Sequence, residues 1–377
     1  MPLDQLHRRI ADDEIPESPL ERLLQNGLAA VAPFYGAGAW THRVLHDLGL
    51  RQRRMLPVPV FSVGNVTVGG TGKTPFTIWL TEWLREEGRR PAVLSRGYGR
   101  ADEDALTIVH DGRRPRTTAD EAGDEPLLIA ESLGDVPVLA CSDRYKAGRH
   151  ALKRFAVDTL VLDDGLQHVM LGRQAEIILI DATRPPSRLR LFPRGTLREP
   201  LTVLGRAHLI VLTRCDQARG AKKLARKLAA RHRSATVVST RLVPRSLRNV
   251  RTGEKHTLEK IKGARVLVAC GVANPDSVRK TVEKLGARVV RLRALPDHAE
   301  PSRREVERWE TQRRKARADY IVVTEKDAVK LREHSNLPAR ILSLEVGMAF
   351  ATPRDGAAAK KVLRARLHSR PVRGLLR

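Results

Sequence analysis

Cysteine is scarce in this chain, with three in 377 residues. Cys141, Cys215 and Cys270 lie far apart and form no CxxC pair. That spacing argues against a disulfide framework or a cysteine metal site and favours a reducing compartment. We find no run of the ~18 apolar residues that a membrane-spanning helix needs, and no secretory signal with a cleavage site. We therefore expect neither a spanning helix nor a secreted protein.

Aromatic residues make up only 4% of the chain, and acidic residues are outnumbered by basic ones, 43 to 69, giving a net charge of +26. A field of this sign favours nucleic acid, an anionic membrane surface or an anionic substrate. Few aromatics mean few stacking platforms for single strands. The sequence also lacks a helix-turn-helix signature or zinc spacing for reading a duplex. We therefore expect no nucleic acid partner.

A glycine-rich stretch follows a short apolar run, Val58–Val63, and precedes a helical pattern that begins at Lys73. Strand, glycine loop, Lys-Thr and helix is the order of a phosphate-binding loop. The strict motif has glycine where Thr67 stands, so a glycine turn that binds nothing is the alternative interpretation. Backbone N–H groups of such a loop, together with the positive end of the helix, bind phosphate. The residues predicted to bind nucleotide are Val68, Gly69, Gly70, Thr71, Gly72, Lys73, Thr74 and Pro75.

Apolar runs of strand length recur after this loop, with helical patterns between most of them. They are Pro91–Ser95, Val136–Cys141, Thr159–Leu162, Glu176–Ile180 and His208–Thr213. Continuous rather than alternating apolar strands predict a parallel sheet covered on both faces. We expect a P-loop NTPase-like α/β fold, a doubly wound α/β/α sheet, with a second, smaller α/β domain. The predicted ranges are 1–56 for an N-terminal arm and membrane-surface helices, 57–235 for the P-loop core, 236–262 for a connector and 263–377 for the smaller domain.

Two consecutive carboxylates, Asp163 and Asp164, end one of the apolar runs. An acid at a strand end beside a phosphate loop holds Mg²⁺ in phosphoryl-transfer enzymes, together with the hydroxyl that follows the loop lysine. We predict a metal site formed by Thr74, Asp163 and Asp164. The alternative is a polar turn after a buried strand.

Several other polar residues follow predicted strands, where ligands of such sheets bind. Asp124 opens a helical pattern, so it either caps that helix or accepts a hydroxyl proton. An Asp directly before His298 raises the odds that this histidine is catalytic. Thr213–Asp216 is similar to the guanine-reading motif of GTPases, with Arg214 in place of the usual lysine.

Together these stretches resemble one family, the tetraacyldisaccharide 4′-kinases, which phosphorylate a lipid A precursor. The matching segments span Pro57 to Leu331. They are PVPVFSVGNVTVGGTGKTP, LSRGYGR, AGDEP, VLDDGLQH, FPRGTLREP, GVANP, LPDH and VTEKDAVKL. The family usually has another histidine and an aromatic residue after the Asp-His pair, whereas here Ala299, Glu300 and Pro301 follow.

The resemblance implies an ATP- and Mg²⁺-dependent kinase that phosphorylates the 4′-hydroxyl of an anionic lipid disaccharide 1-phosphate. It implies that Lys73 and Asp124 are catalytic, with Asp297 and His298. The substrate-binding residues that we expect are Arg96, His168, Arg194, Arg198 and Glu199.

Residues 19–54 combine apolar side chains, aromatics and flanking arginines. This pattern suggests a pair of helices lying in a membrane surface, although an amphipathic helix packed on the core fits equally well. With the resemblance, it implies a protein at the cytoplasmic face of the inner membrane, peripheral or anchored by its N-terminus. The alternatives in function are a P-loop ATPase or GTPase switch, or another small-molecule kinase.

Overall fold

The structure is a computed structural model, and it describes residues 18–47, 53–100, 102–186, 189–272, 274–296, 299–334 and 336–369. Its helices are, in chain order, α1 (Pro19–Asp47), α2 (Lys73–Glu86), α3 (Ala119–Ala122), α4 (Asp124–Leu133), α5 (Arg144–Arg154), α6 (Ala221–Arg231), α7 (Pro275–Lys284), α8 (Arg303–Lys315), α9 (Glu325–Leu331) and α10 (Pro353–Leu367).

The strands alternate with these helices along most of the chain. They are β1 (Val60–Asn65), β2 (Pro91–Ser95), β3 (Thr107–Asp111), β4 (Pro137–Ala140), β5 (Thr159–Leu162), β6 (Ala175–Asp181), β7 (Leu209–Thr213), β8 (Thr236–Asn249), β9 (Lys255–His256), β10 (Arg265–Cys270), β11 (Arg288–Ala294), β12 (Tyr320–Thr324) and β13 (Ile341–Phe350).

Internal contacts divide the chain into two compact units, each built from separate stretches of sequence. The first comprises Met1–Arg96, Asp143–Arg241 and Ala349–Arg377, and the second comprises Gly97–Ser142 and Leu242–Met348. We call them the first and second units. The domain boundaries given by the sequence stay a prediction.

The first unit contains a parallel sheet in the order β2, β5, β1, β6, β7, and the start of β8 continues it. Every residue of β1, β2, β5, β6 and β7 is buried. Their continuous apolar sequences explain this, because a parallel sheet with helices on its faces is shielded from water on both sides. The carboxyl ends of these strands meet at one edge, where the polar residues that follow them are brought together.

The second unit also contains a parallel sheet, in the order β11, β10, β12, β13. Its core joins α8 to this sheet through Val306 and Trp309, which pack with Leu267, Ile321 and Val323. The same unit holds the antiparallel pair of β3 and β4, together with α3 and α4. The fold is therefore the mixed α/β architecture that the alternation of strands and helices predicted.

Residues 19–47 form one continuous helix, so the predicted helix pair is wrong for this stretch. Pro33 lies inside α1, where it removes one backbone N–H without ending the helix. Packing offsets that loss: a Cβ on Gly36 would lie 2.8 Å from Leu191, and the Tyr35 and Phe192 rings lie edge to face at 5.3 Å. Close approach to the loop around Leu191 holds the middle of α1 in place.

Candidate active site

The phosphate loop connects β1 to α2 in the first unit. Gly69 and Gly72 have φ angles of 98° and 88°, which glycine adopts far more readily than other residues. Gly72 is the N-cap residue of α2, and because it has no side chain, nothing at that position competes for the first N–H groups of the helix. The N-terminus of α2 therefore presents backbone donors and a partial positive charge suited to a phosphate group.

Lys73, the first residue of α2, is buried and points back across the loop. Its Nζ donates to Asn65 Oδ1 at 3.2 Å and lies 3.6 Å from Asp164 Oδ1. Asn65 also donates to the carbonyl of Thr67 at 2.8 Å, so it fixes both the start of the loop and the ammonium. A lysine held between these groups is poised for a phosphate oxygen.

The two predicted metal carboxylates lie in different surroundings. Asp163 is 1% exposed and accepts hydrogen bonds from the hydroxyls of Thr77, at 3.0 Å, and Ser95, at 3.4 Å. Asp164 has a positive φ of 48° and faces Lys73 and Arg198. The Thr74 hydroxyl belongs to the first turn of α2, and Asp163 directly follows β5, the strand that pairs with β1. Carboxylate and hydroxyl oxygens are the hard donors that Mg²⁺ prefers, so this donor set fits the predicted ion.

The loop from Phe192 to Pro200 packs along one side of the phosphate loop. Val68 N–H donates to the Thr196 carbonyl at 2.7 Å, and Arg198 N–H donates to the Val66 carbonyl at 2.9 Å. The Arg198 guanidinium pairs with Asp164 at 2.9 Å. Arg198 is therefore tied to both the phosphate loop and the carboxylate pair, whereas Glu199 beside it is buried. Arg194 of the same loop is partly buried.

Strand β7 packs along the other side of the phosphate loop. The Thr213 hydroxyl donates to the Thr71 carbonyl at 2.9 Å. Arg214 donates to the Gly70 carbonyl at 2.7 Å and pairs with Asp181 at the end of β6. The guanine-like motif thus contacts the phosphate loop directly, which its sequence did not indicate.

His168 lies four residues after Asp164 in a segment held by a buried arginine. Arg173 donates to the carbonyls of Gly165 and His168, at 2.9 and 2.6 Å, and pairs with Glu176 at 2.8 Å. Burial, and the positive charges of Arg144 and Arg173, lower the pKa of His168 to about 4. His168 is therefore a neutral imidazole at pH 7, able to donate or accept a hydrogen bond but carrying no charge.

Asp124 belongs to the second unit. The N-cap of α4 is Gly123 rather than Asp124, so the capping interpretation of Asp124 is wrong. Its carboxylate instead pairs with Lys330 of α9 at 2.8 Å, and Lys330 also donates to the Ala299 carbonyl at 3.2 Å. Asp297 and His298 lie outside the described residues. Arg96, at the end of β2 in the first unit, is exposed.

Thiol chemistry is disfavoured at Cys270, which ends β10. Burial, followed by the negative charges of Asp327 and Asp276, raises the pKa of its thiol to about 12. The reactive form of cysteine is the thiolate, so Cys270 is inert at neutral pH.

Within the described residues, no helix is both long enough and apolar enough to cross a bilayer.

These features define the class of P-loop kinases and nucleoside triphosphatases: a glycine-rich loop at a helix N-terminus, an adjacent lysine and a carboxylate pair at the end of a parallel strand. Comparison with known proteins narrows this class. Residues 24–368 match the sequence profile of LpxK, tetraacyldisaccharide-1-P 4′-kinase. The chain belongs to the tetraacyldisaccharide 4′-kinase family, and the predicted family and fold are confirmed.

Named relatives cover almost all of the chain. The tetraacyldisaccharide 4′-kinase of Syntrophus aciditrophicus is 40% identical, covering 90% of this chain and 93% of the relative. That of Anaeromyxobacter sp. strain Fw109-5 is 38% identical, covering 93% and 92%. A crystal structure of LpxK from Aquifex aeolicus in complex with ATP superposes with a TM-score of 0.73 at 28% identity, covering 92% of this chain and all of that one.

The first unit brings together most of the residues that the sequence singled out, namely the phosphate loop, Asp163, Asp164 and Arg198. Three contributors were missed. Asn65 and Lys330 lie inside segments that carry the family resemblance but were given no role, and Arg173 is one of many arginines. A fourth residue, Arg214, lies in the recognised four-residue motif, which did not indicate its contact with the phosphate loop.

Proposed function

We propose that this chain transfers the γ-phosphate of ATP to the 4′-hydroxyl of a tetraacyldisaccharide 1-phosphate, as the names of its relatives describe for them. The observation that carries the proposal is the charged cluster of Lys73, Asp164 and Arg198 beside the N-terminus of α2. Two cations flank one carboxylate at a phosphate-binding helix end, where they can stabilise the negative charge of a phosphoryl group during transfer.

The phosphate loop holds the nucleotide in this proposal. Backbone N–H groups from Gly69 to Thr74 donate to phosphate oxygens, whereas the Val68 N–H is used by the Thr196 carbonyl. Lys73 neutralises charge on the phosphoryl group that is transferred. Thr74, Asp163 and Asp164 hold the Mg²⁺ ion. When bound, Mg²⁺ supplies charge neutralisation at the phosphate oxygens. Asp163 is oriented for this task by Thr77 and Ser95, which donate to its two oxygens.

The acceptor lipid carries a phosphate and several hydroxyl groups, and we assign its recognition to arginines and to polar side chains. Arg96, Arg194 and Arg198 bind its anionic groups, since guanidinium pairs well with phosphate. His168 is neutral at pH 7 and is suited to a sugar hydroxyl rather than to a phosphate. Glu199, which is buried beside Arg198, is the remaining residue that we assign to substrate binding.

Proton removal from the acceptor hydroxyl is assigned to Asp124, with Asp297 and His298 as further catalytic residues. A carboxylate is an adequate acceptor here because the transition state of phosphoryl transfer is loose and positioning contributes more than proton transfer. Lys330 pairs with Asp124 and so restricts the orientation of the carboxylate.

We propose that the chain binds its lipid acceptor at a membrane surface. Along α1, Leu20, Leu23, Val31 and Phe34 are 64%, 68%, 52% and 79% exposed. Exposed apolar side chains at helical spacing suit the interface of a bilayer. The same helix contacts the Arg198 carbonyl through the Tyr35 hydroxyl, at 3.3 Å. We therefore propose that the chain is a peripheral protein of the cytoplasmic face of the inner membrane.

The test uses purified full-length chain, ATP labelled on its γ-phosphate, and two acceptors, the lipid disaccharide 1-phosphate and its 4′-deoxy analogue. We expect labelled bisphosphorylated lipid from the first acceptor alone. Lys73→Met should abolish it, and Arg90→Met, which removes an exposed ion pair with Asp158 in the same unit, should not. Release of labelled inorganic phosphate with no labelled lipid would indicate an ATPase and refute the proposal.

A further inference from the structure

The Thr213-Arg214 pair makes two contacts with consecutive peptide groups of the phosphate loop. The Arg214 guanidinium donates to the Gly70 carbonyl at 2.7 Å, and the Thr213 hydroxyl donates to the Thr71 carbonyl at 2.9 Å. Both donors come from the end of β7, which fixes them relative to the sheet. The two carbonyls are thereby held toward β7.

The peptide group is planar and trans, so its carbonyl and its N–H point in opposite directions. The carbonyl of Gly70 shares its peptide group with the N–H of Thr71, and the carbonyl of Thr71 shares its peptide group with the N–H of Gly72. Holding both carbonyls toward β7 turns both N–H groups away from β7. Without a fixed partner, peptide groups flanked by glycine would rotate readily.

Arg214 is itself held in place by the neighbouring strand. Its guanidinium pairs with Asp181, the last residue of β6, and the other oxygen of Asp181 accepts hydrogen bonds from Thr183 N–H, at 2.9 Å, and its hydroxyl, at 2.6 Å. Arg214 also has a positive φ of 53°, an uncommon conformation for a residue other than glycine. The contacts of this side chain are made to the protein's own loop and to Asp181.

We propose that Thr213 and Arg214 are positioning residues that orient the Thr71 and Gly72 N–H groups toward the nucleotide phosphates. The inference deepens the proposed function and rests on its nucleotide-binding part. It assigns the four-residue motif a task in phosphate binding in place of guanine reading. Arg214, which stands where a guanine-reading motif has lysine, acts through the loop.

The measurement is the dissociation constant of Mg²⁺-ATP and that of adenosine, by titration of the full-length chain and three variants. Thr213→Val keeps the shape of the side chain and removes the hydroxyl. Arg214→Met removes the guanidinium and with it the hydrogen bonds to the Gly70 carbonyl and to Asp181. Arg214→Lys keeps the charge but loses the planar guanidinium. We expect ATP to bind about tenfold more weakly to Thr213→Val and Arg214→Met, with adenosine affinity unchanged, since only phosphate contacts are affected. Arg214→Lys should fall between the unmodified chain and Arg214→Met.

The control is Arg90→Met, which removes an arginine and an exposed ion pair of the same unit, and thermal melting checks that each variant is folded. If the folded Thr213→Val and Arg214→Met proteins bind ATP as tightly as the unmodified chain, the positioning role is refuted while the proposed function stands. Equal weakening of ATP and adenosine also refutes it, because an oriented phosphate contact is then not what was lost. Failure of the unmodified chain to bind ATP overturns the proposed function together with this inference.

Discussion

His168 shows how one residue's surroundings set its protonation state. Burial is the largest effect that disfavours a positive charge on its ring, and the positive charges of Arg144 and Arg173 add to it. The negative charge of Asp143 acts in the opposite direction but is weaker, so the pKa falls to about 4. In the unfolded chain the pKa is about 6.5. The unfolded state therefore binds more protons between pH 6.5 and 4, and His168 lowers stability progressively as the pH falls through that window.

We predict that His168→Gln flattens the pH dependence of stability between pH 6.5 and 4. At pH 4 the variant should have lost less stability, relative to pH 7, than the unmodified chain, by about 1–3 kcal/mol. Urea unfolding at several pH values measures this. Identical slopes for both proteins would show that His168 titrates normally. His208→Gln is the comparison, because burial also lowers the pKa of His208.

Asp164 permits a clean test of charge because of its backbone conformation. Its φ of 48° lies in the left-handed region, where asparagine is tolerated and alanine is strained. We predict that Asp164→Asn keeps the fold and lowers kcat at least about 100-fold, because Lys73 and Arg198 lose the carboxylate between them and the proposed Mg²⁺ site loses a ligand. The measurements are kcat, thermal melting and a Mg²⁺ titration of turnover. A Mg²⁺ curve unchanged from that of the unmodified chain would exclude Asp164 from the metal site.

The residue scale also shows what a sequence conveys about a site. Lys73 and Asp163 could be singled out because phosphate binding places a lysine at the end of the loop and metal binding places an acid at a strand end. Asn65 and Lys330 could not, since their importance lies in contacts with residues 8 and 206 positions away. Arg214 lies in a stretch similar to a guanine-reading motif, whereas its side chain binds the Gly70 carbonyl. Local spacing identifies a motif, and the partners of each side chain depend on the fold.

At the scale of elements, continuous apolar runs were reliable guides. The runs Pro91–Ser95 and Thr159–Leu162 have the predicted bounds. Strand β3, Thr107–Asp111, was not predicted, because its short segment contains His110 and is only partly buried. Strand β8 extends over 14 residues through a stretch that the sequence assigned to a connector. Partly exposed strands carry mixed sequences, so their hydrophobic pattern is weak.

Helices α4 and α9 of the second unit are joined by three ion pairs that differ in burial. Lys330–Asp124 is the most buried, with side chains 9% and 20% exposed, whereas Arg332–Glu131 has 28% and 32%. Lys326–Glu125 lies between them in exposure. Removing one partner of a buried pair leaves an uncompensated charge, which costs more than removing one partner of an exposed pair.

We predict that Lys330→Met destabilises the chain by about 1–3 kcal/mol, and Arg332→Met by less than about 1 kcal/mol. Adding Asp124→Asn to Lys330→Met should restore part of the loss, because the remaining partner is then neutral. Urea denaturation of the two single variants, Asp124→Asn and the double variant provides the cycle. Additive losses would mean that the two side chains do not interact. The result also bears on catalysis, since it reports how firmly Asp124 is held.

At the scale of the whole molecule, two different forces can bring the chain to a membrane. The net charge of +26 attracts anionic lipid, and each basic residue near the surface contributes about 1 kcal/mol. This attraction weakens as salt shortens the Debye length from about 10 Å at 0.1 M to about 3 Å at 1 M. Apolar insertion by α1, through side chains such as Leu23 and Phe34, is not screened by salt.

We therefore predict that vesicle binding has a salt-sensitive part and a salt-resistant part. Binding of the full-length chain to vesicles containing anionic lipid should fall steeply as salt rises, and then level off at a residual value. The double variant Leu23→Gln, Phe34→Gln should keep the steep fall and lose the residual binding, because glutamine preserves the helix while removing the apolar contact. Flotation with anionic and with neutral vesicles measures both parts. If residual binding is equal in the variant and the unmodified chain, the membrane contact is made by another surface. If the chain instead binds duplex DNA strongly and in a salt-sensitive way, and does not bind vesicles, a nucleic acid partner is favoured.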